Sequence, residues 1–481
     1  MYLPNYLIFS EEIFIIQKNN PSKDGLLLNW LRKLKYVMKN LITIFQKCKL
    51  FIRINFAPIF LFLIPLFFIS SCSKKDSKTL YPYIFRDKFN NLRYLQSLPK
   101  HNNVSSTNAY VFLDATLSMQ GFTIPSKFTI FCNSLRELKN TLLSSIPSIT
   151  YFKFGEVVKN IDEENFKFFE PSFYMDYEIF KRTFIENVID STLILLSQNP
   201  QNLVIIITDL YQDKSTIDKI ITRFSKLNET IPNISISIIQ IKSEYNGTVY
   251  DVSESAYKFP YRETQDTLKF RPFYIICIAP YDLINKFTSE FTRRISSQYI
   301  PLNQLIISND FISSSYNFTP NVSPVDRIAD SIFTFSFPDS FITLKKTIIF
   351  NDKVITPHTI TPIAQFYVYE NNSLTQTLPF FSIDCKLNQN ELLLTLKPTY
   401  KLDENKKYIT YIALVADQFS IPDWVEDSDL KINEALLSEW IRKPSTFPGS
   451  KTYNLYNFIS LLSKKFLNNI CIQDILIKFE K

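Results

Sequence analysis

Residues 109–122 read AYVFLDATLSMQGF. An apolar run meets an aspartate, and hydroxyls follow at alternate positions, Thr116 and Ser118, before Gly121. A short continuous apolar run bounded by turn residues predicts a buried strand, so Asp114 stands at its carboxyl end. Carboxylates and hydroxyls are hard oxygen donors suited to a small divalent cation such as Mg²⁺, which takes six oxygens at about 2.1 Å and readily keeps waters. Alternation along one loop brings the oxygens of Asp114, Thr116 and Ser118 together, and Gly121 lets the backbone turn away. The placement is informative because the chain of 481 residues holds five glycines beside 44 Phe and 26 Tyr. That bias reads as the imprint of an AT-rich genome on codon usage, and a retained glycine then marks a position that needs one.

Outward from this strand, apolar runs alternate with helical stretches: FTIFCNSLRELKNTLLSSI, ITYFKFGEVV, TFIENVIDSTLILLSQ, LVIIITDL, a helix from about 215, ISISIIQIK and FYIICIAP. Short strands separated by helices predict an α/β domain over 105–300 with a doubly wound, mostly parallel sheet. Asn246-Gly247 reads as a tight hairpin turn. After about 325 the helices give way to IFTFSF, AQFYVYE, FFSIDCKL, ELLLTLK and YITYIALVAD, which predict an antiparallel β-sandwich-like C-terminal domain over 301–420. Residues 421–481 form a mixed segment whose last run, CIQDILIKF, is strand-like. KPTYKLDENKKYITYIALV resembles the corner of immunoglobulin-like domains, in which a tyrosine such as Tyr408 ties a turn to its strand.

The amino-terminal part reads differently. NFAPIFLFLIPLFFI follows Lys47, Lys49 and Arg53 and ends at Ile69-Ser70-Ser71-Cys72. A basic region, an apolar run of about 15 residues and small residues at its end predict a secretory signal. Its end resembles the bacterial lipobox, which implies lipid on Cys72 and removal of residues 1–71, with translation starting at Met1 or at Met38. Residues 72–104 are then a lipid-anchored tether, and the protein sits on the cell membrane or outer membrane, facing the periplasm or the exterior. The net charge of +7 is concentrated here: residues 1–71 carry nine Lys or Arg and three acids, leaving 44 basic and 43 acidic groups. A near-neutral remainder without a basic block argues against nucleic-acid binding.

Cys132, Cys277, Cys385 and Cys471 lie far apart among apolar neighbours, which predicts buried thiols and leaves one or two disulfides open. His101 and His358 are the only histidines, and no His-Glu-x-x-His occurs. Neither a Ser-His-Asp nor a Cys-His arrangement is available, so no enzyme is expected.

FLDATLS followed about 95 residues later by IIITD, both closing strands, resembles the metal-ion-dependent site of von Willebrand factor A-type (VWA) domains, with Thr116 in place of the usual first serine and Leu210 where glycine is frequent. The region is also similar to bacterial proteins that join such a domain to a β domain. The resemblance implies that Thr116, Ser118 and Thr183 bind Mg²⁺, Mn²⁺ or Ca²⁺ through their hydroxyls. Asp114 and Asp209 would hold metal-bound waters, and an acidic residue of a protein partner would complete the shell. Thr183 also reads as the start of a helix capping box with Glu186. The function expected is cation-dependent protein binding at the cell envelope; the alternative is a structural envelope lipoprotein whose site is vestigial and independent of metal.

Overall fold

A computed structural model describes residues 92–94 and 108–480, apart from positions 177, 180, 211–213, 232, 254–256, 299, 338–339 and 371–372. The signal, Cys72, Met38, His101 and nearly all of the tether lie outside the described residues.

The first sheet is built from β1 (Asn108–Asp114), β2 (Ser148–Phe154), β3 (Val158–Ile161), β4 (Leu203–Thr208), β5 (Ile234–Ser243), β8 (Arg271–Pro280) and β9 (Leu302–Ile307). Between β5 and β8 lies a separate hairpin of β6 (Tyr245–Val252) and β7 (Tyr257–Glu263). The order across the sheet is β9-β5-β8-β4-β1-β2-β3. β1 runs parallel to β2 and to β4. The other four neighbouring pairs are antiparallel. The expected doubly wound, mostly parallel sheet is therefore overturned: the sheet is mixed, and the described chain holds more strand than helix.

The physical reason lies in β8. RPFYIICIAP is buried along its whole length, and a strand covered on both faces reads as a continuous apolar run whichever way it points. Direction is set by the connection instead. A parallel neighbour needs a crossover, usually a helix, whereas β5 and β8 are joined through the β6–β7 hairpin and a single 3₁₀ turn at Thr267–Lys269. The chain comes back at the end where it left, and β8 inserts antiparallel between β5 and β4.

Helices α1 (Leu117–Gln120), α2 (Ile130–Ser145), α3 (Ile185–Gln198), α4 (Lys214–Thr230) and α5 (Tyr281–Ser296) complete the domain. α2 shows how the local sequence builds them. The Thr129 hydroxyl accepts from the Cys132 backbone N–H and caps the first turn. Phe131, Leu135, Leu138 and Leu142 then fall on one buried face at helical spacing.

Beyond β9 the described chain forms two larger β sheets and a short parallel pair of 429–430 with 452–453. One has the order 326–329, 332–335, 470–479, 407–416, 360–370, 373–376, and the other 312–315, 342–350, 391–398, 381–388. Aromatic contacts join them: Phe381 lies on Phe479 at 4.7 Å and Phe380 against Tyr408 at 5.0 Å. The Tyr408 hydroxyl accepts a hydrogen bond from the Asp403 backbone N–H, fastening the turn before its strand. The final strand, Ile470–Phe479, pairs antiparallel with Lys407–Ala416 and parallel with Ile332–Phe335. Among the described residues no disulfide forms; Cys132, Cys277 and Cys471 are buried as expected, whereas Cys385 is only half-buried.

The boundary expected near 300 does not divide the molecule, because β9 is an edge strand of the first sheet. Residues 428–466 also pack back against that sheet and the β6–β7 hairpin. The Thr452 and Tyr274 hydroxyls are 2.8 Å apart, Ser428 bonds Gln240, and Phe447 stacks on Phe259 at 4.8 Å. The described residues fall within one compact unit.

Candidate functional site

Asp114 closes β1, and Asp209 follows β4 directly, so the two acids leave neighbouring parallel strands at one carboxyl edge. Such an edge is where open α/β sheets take ligands. β8 runs the other way and therefore delivers its first residue, Arg271, to the same place.

Asp114 is fully buried and accepts from four donors. Its Oδ1 takes the Thr116 hydroxyl at 2.6 Å and the Thr116 backbone N–H at 3.1 Å. Its Oδ2 takes the Thr208 hydroxyl at 2.8 Å and the Thr183 hydroxyl at 3.2 Å. Burial, reinforced by the charge of Asp209, nevertheless pushes the Asp114 carboxyl up to about 7, against the pull of those hydrogen bonds. Thr116 Oγ1 lies 3.1 Å from Ser118 Oγ and 3.3 Å from Thr183 Oγ1. The structure thus brings Asp114, Thr116, Ser118 and Thr183 into one hydrogen-bonded cluster, with Asp209 close enough to act on Asp114 electrostatically.

Thr183 could have served as a helix cap. The cap position of α3 is instead Phe184, without a side-chain cap bond, and the Thr183 hydroxyl turns into the cluster. Leu210, standing where glycine is frequent in the family resembled, has φ 52°. This is the left-handed region that glycine enters freely and leucine enters with strain. The backbone turn after Asp209 is kept, and the Leu210 N–H donates to the Thr208 hydroxyl oxygen.

Three participants were not expected from the sequence. Thr208 is the first: it ends the apolar run LVIIIT, and nothing in residue type marks its hydroxyl as facing Asp114. Arg271 binds Asp209 Oδ2 through Nη2 at 2.7 Å, with both side chains buried at 1% and 3% exposure. Its Nη1 donates to the Gly449 carbonyl at 3.3 Å, and its guanidinium lies over the Tyr245 ring at 5.1 Å. A lone arginine heading the apolar run RPFYIICIAP was the available signal for it. Tyr245 is the third: its hydroxyl lies 2.9 Å from the carbonyls of Ser118 and Thr248.

The donor set fits a small hard cation. Two ligands at right angles around an ion at ~2.1 Å stand ~3.0 Å apart, close to the 3.1 and 3.3 Å that separate Thr116 Oγ1 from the other two hydroxyls. The Thr116 hydroxyl can turn a lone pair to a cation while still donating its hydrogen bond to Asp114. Among the described residues no three His, Cys, Asp or Glu side chains cluster, so a cation here would be held mainly by hydroxyls. Compared with known proteins, the chain matches no family model, no curated protein and no solved structure.

Proposed function

We propose that this is a lipid-anchored cell-envelope protein of the VWA type, whose first domain holds a divalent cation and, through it, a carboxylate of a protein partner. Thr116, Ser118 and Thr183 would bind the cation through their hydroxyls, and Asp114 and Asp209 would hold its waters; Mg²⁺ suits the donors best, with Mn²⁺ or Ca²⁺ as substitutes. The carrying observation is the cluster of three hydroxyls beside a buried aspartate: Thr116 and Thr183 bond Asp114, and Ser118 joins through Thr116. Charge supports it as well. Of the two buried acids, Asp209 is paired with Arg271 while Asp114 feels only the like charge of Asp209, so one negative charge is left for a proton or a cation to neutralise. The histidine-poor sequence favours binding over catalysis, and lipid on Cys72 would hold the protein at the membrane stably if two acyl signals meet there.

One observation favours a second reading. Arg271 already occupies Asp209, and Asp114 is satisfied by protein donors, as in a structural protein whose site works without metal. Calorimetry separates the two. Under the first reading the wild type binds Mg²⁺, while Asp114→Ala and Asp209→Ala lose about 10–100-fold in affinity, as removal of second-shell partners of a metal generally does. Equal binding by all three proteins, or none by any, would favour the structural reading. In native membranes, chelator should release the partner but leave the protein in the membrane fraction, because acyl chains hold without metal.

A further inference from the structure

The charges around the site do not balance in pairs. Asp114 and Asp209 bring two negative charges, and Arg271, salt-bridged to Asp209 with its side chain 1% exposed, brings one positive. The arginine has little freedom to swing out: Asp209 Oδ2, the Gly449 carbonyl and the Tyr245 ring hold it on three sides. It therefore acts on an incoming ligand through its charge rather than as a hydrogen-bonding finger.

We infer that Arg271 makes this site select anions: with a divalent cation bound, the two acids and the arginine leave one net positive charge, which a single carboxylate cancels. This rests on the cation reading above and deepens it. A net charge is expensive to keep in a poorly solvated place. The cation and the carboxylate should accordingly tighten each other, and by linkage the effect is the same in both directions. Without Arg271 the two acids and the cation already balance, and the carboxylate has no charge to cancel. Antiparallel insertion of β8 is what supplies the arginine, because only a strand running this way begins at the carboxyl edge of β4.

The test uses the full chain in detergent at pH 8, with acetate as the carboxylate probe and chloride matched for ionic strength. Mg²⁺ affinity is measured by calorimetry with and without saturating acetate. In the wild type acetate should tighten Mg²⁺ by about fivefold or more, the lower end of ordinary coupling. In Arg271→Met Mg²⁺ should bind, and the acetate effect should shrink to less than about twofold on the same scale. The double variant Arg271→Met/Asp209→Asn has no lone buried carboxylate to threaten its folding and regains the net positive charge. It should bind Mg²⁺ more weakly than the wild type yet recover the acetate effect. An acetate effect of equal size in the wild type and Arg271→Met would overturn the inference, as would acetate binding equally well to the metal-free wild type. Failure of the wild type to bind Mg²⁺ at all would instead remove the cation reading, and the inference with it.

Discussion

At the scale of single residues, the proton on Asp114 is the most consequential detail. Its carboxyl is pushed up to about 7 by burial and by Asp209, against about 3.9 in an unfolded chain. Between those values the folded state holds a proton that the unfolded state has released, so folding stability falls as pH rises through this window. The contribution is fully present below about pH 4 and is lost as pH passes 7, up to about 4 kcal/mol in all. Denaturant unfolding in chelator between pH 4 and 8 should show this slope in the wild type and not in Asp114→Asn. Saturating Mg²⁺ should reverse the loss near pH 8, since a cation replaces the proton. Equal slopes in the two proteins would contradict the assignment. Asp114, Thr116, Ser118 and Asp209 stand out in the sequence as acids and hydroxyls at the ends of apolar runs, whereas Thr183, ahead of α3, is picked out only by the resemblance to VWA domains. Thr208 and Arg271 lay within or at the head of such runs, where residue type alone does not say which way a side chain faces.

At the scale of elements, the glycines mark where segments around the site meet. A Cβ on Gly121 would stand 2.4 Å from the Tyr245 ring, and one on Gly247 would stand 2.9 Å from the Gly121 Cα. The Gly121 carbonyl accepts from the Asn246 N–H at 2.9 Å, so α1 and the β6–β7 hairpin meet backbone to backbone. Gly155 lies against the Ile179 and Arg182 carbonyls, ahead of Thr183, and the Gly449 carbonyl receives Arg271. Gly121 has an ordinary φ of −56°, so its requirement is space rather than conformation. Gly121→Ala should therefore lower stability by about 1–3 kcal/mol, the usual penalty of overpacking. In a Tyr245→Leu background, where the ring is gone, the same change should cost much less. Strict additivity in this double-mutant cycle would rule out the ring as the obstacle. Scarcity made these glycines visible in the sequence, but not their purpose. Asn246-Gly247 carries the signal of a tight turn, yet Gly247 lies within β6 opposite Tyr261, and β6 runs on to Val252.

At the scale of the whole molecule, element types were easier to read than their grouping. Strand-rich and helix-rich stretches are local patterns. Strand direction, the membership of β9 in the first sheet and the packing of residues 428–466 against that sheet depend on contacts distant in sequence. A fragment of residues 105–300 would lose β9 from the edge of β5 and uncover Phe259, Tyr274 and Arg271, which residues 447–452 now contact. Such a fragment should unfold at a clearly lower denaturant concentration than the full chain. In the full chain, fluorescence and circular dichroism should report one coincident transition. Two separated transitions, with the fragment as stable as the first of them, would show independent domains.

Mechanical load on the molecule has a definite entry point. Arg93 and Tyr94 pair in parallel with Ile470 and Cys471 at the start of the last strand, and the Arg93 guanidinium donates to the Phe466 carbonyl at 2.6 Å. The same carbonyl accepts from Asn228 on α4 at 2.9 Å. Arg93 also donates to the Asn468 carbonyl at 2.9 Å and, from its backbone N–H, to the Asn469 carbonyl at 2.8 Å, so a pull at Leu92 spreads over several bonds to residues 466–471 and reaches α4 through the Phe466 carbonyl. Were the chain anchored at a membrane and gripped at the sheet edge as proposed, tension between the two would cross the protein through that junction, with Arg93 as the rivet.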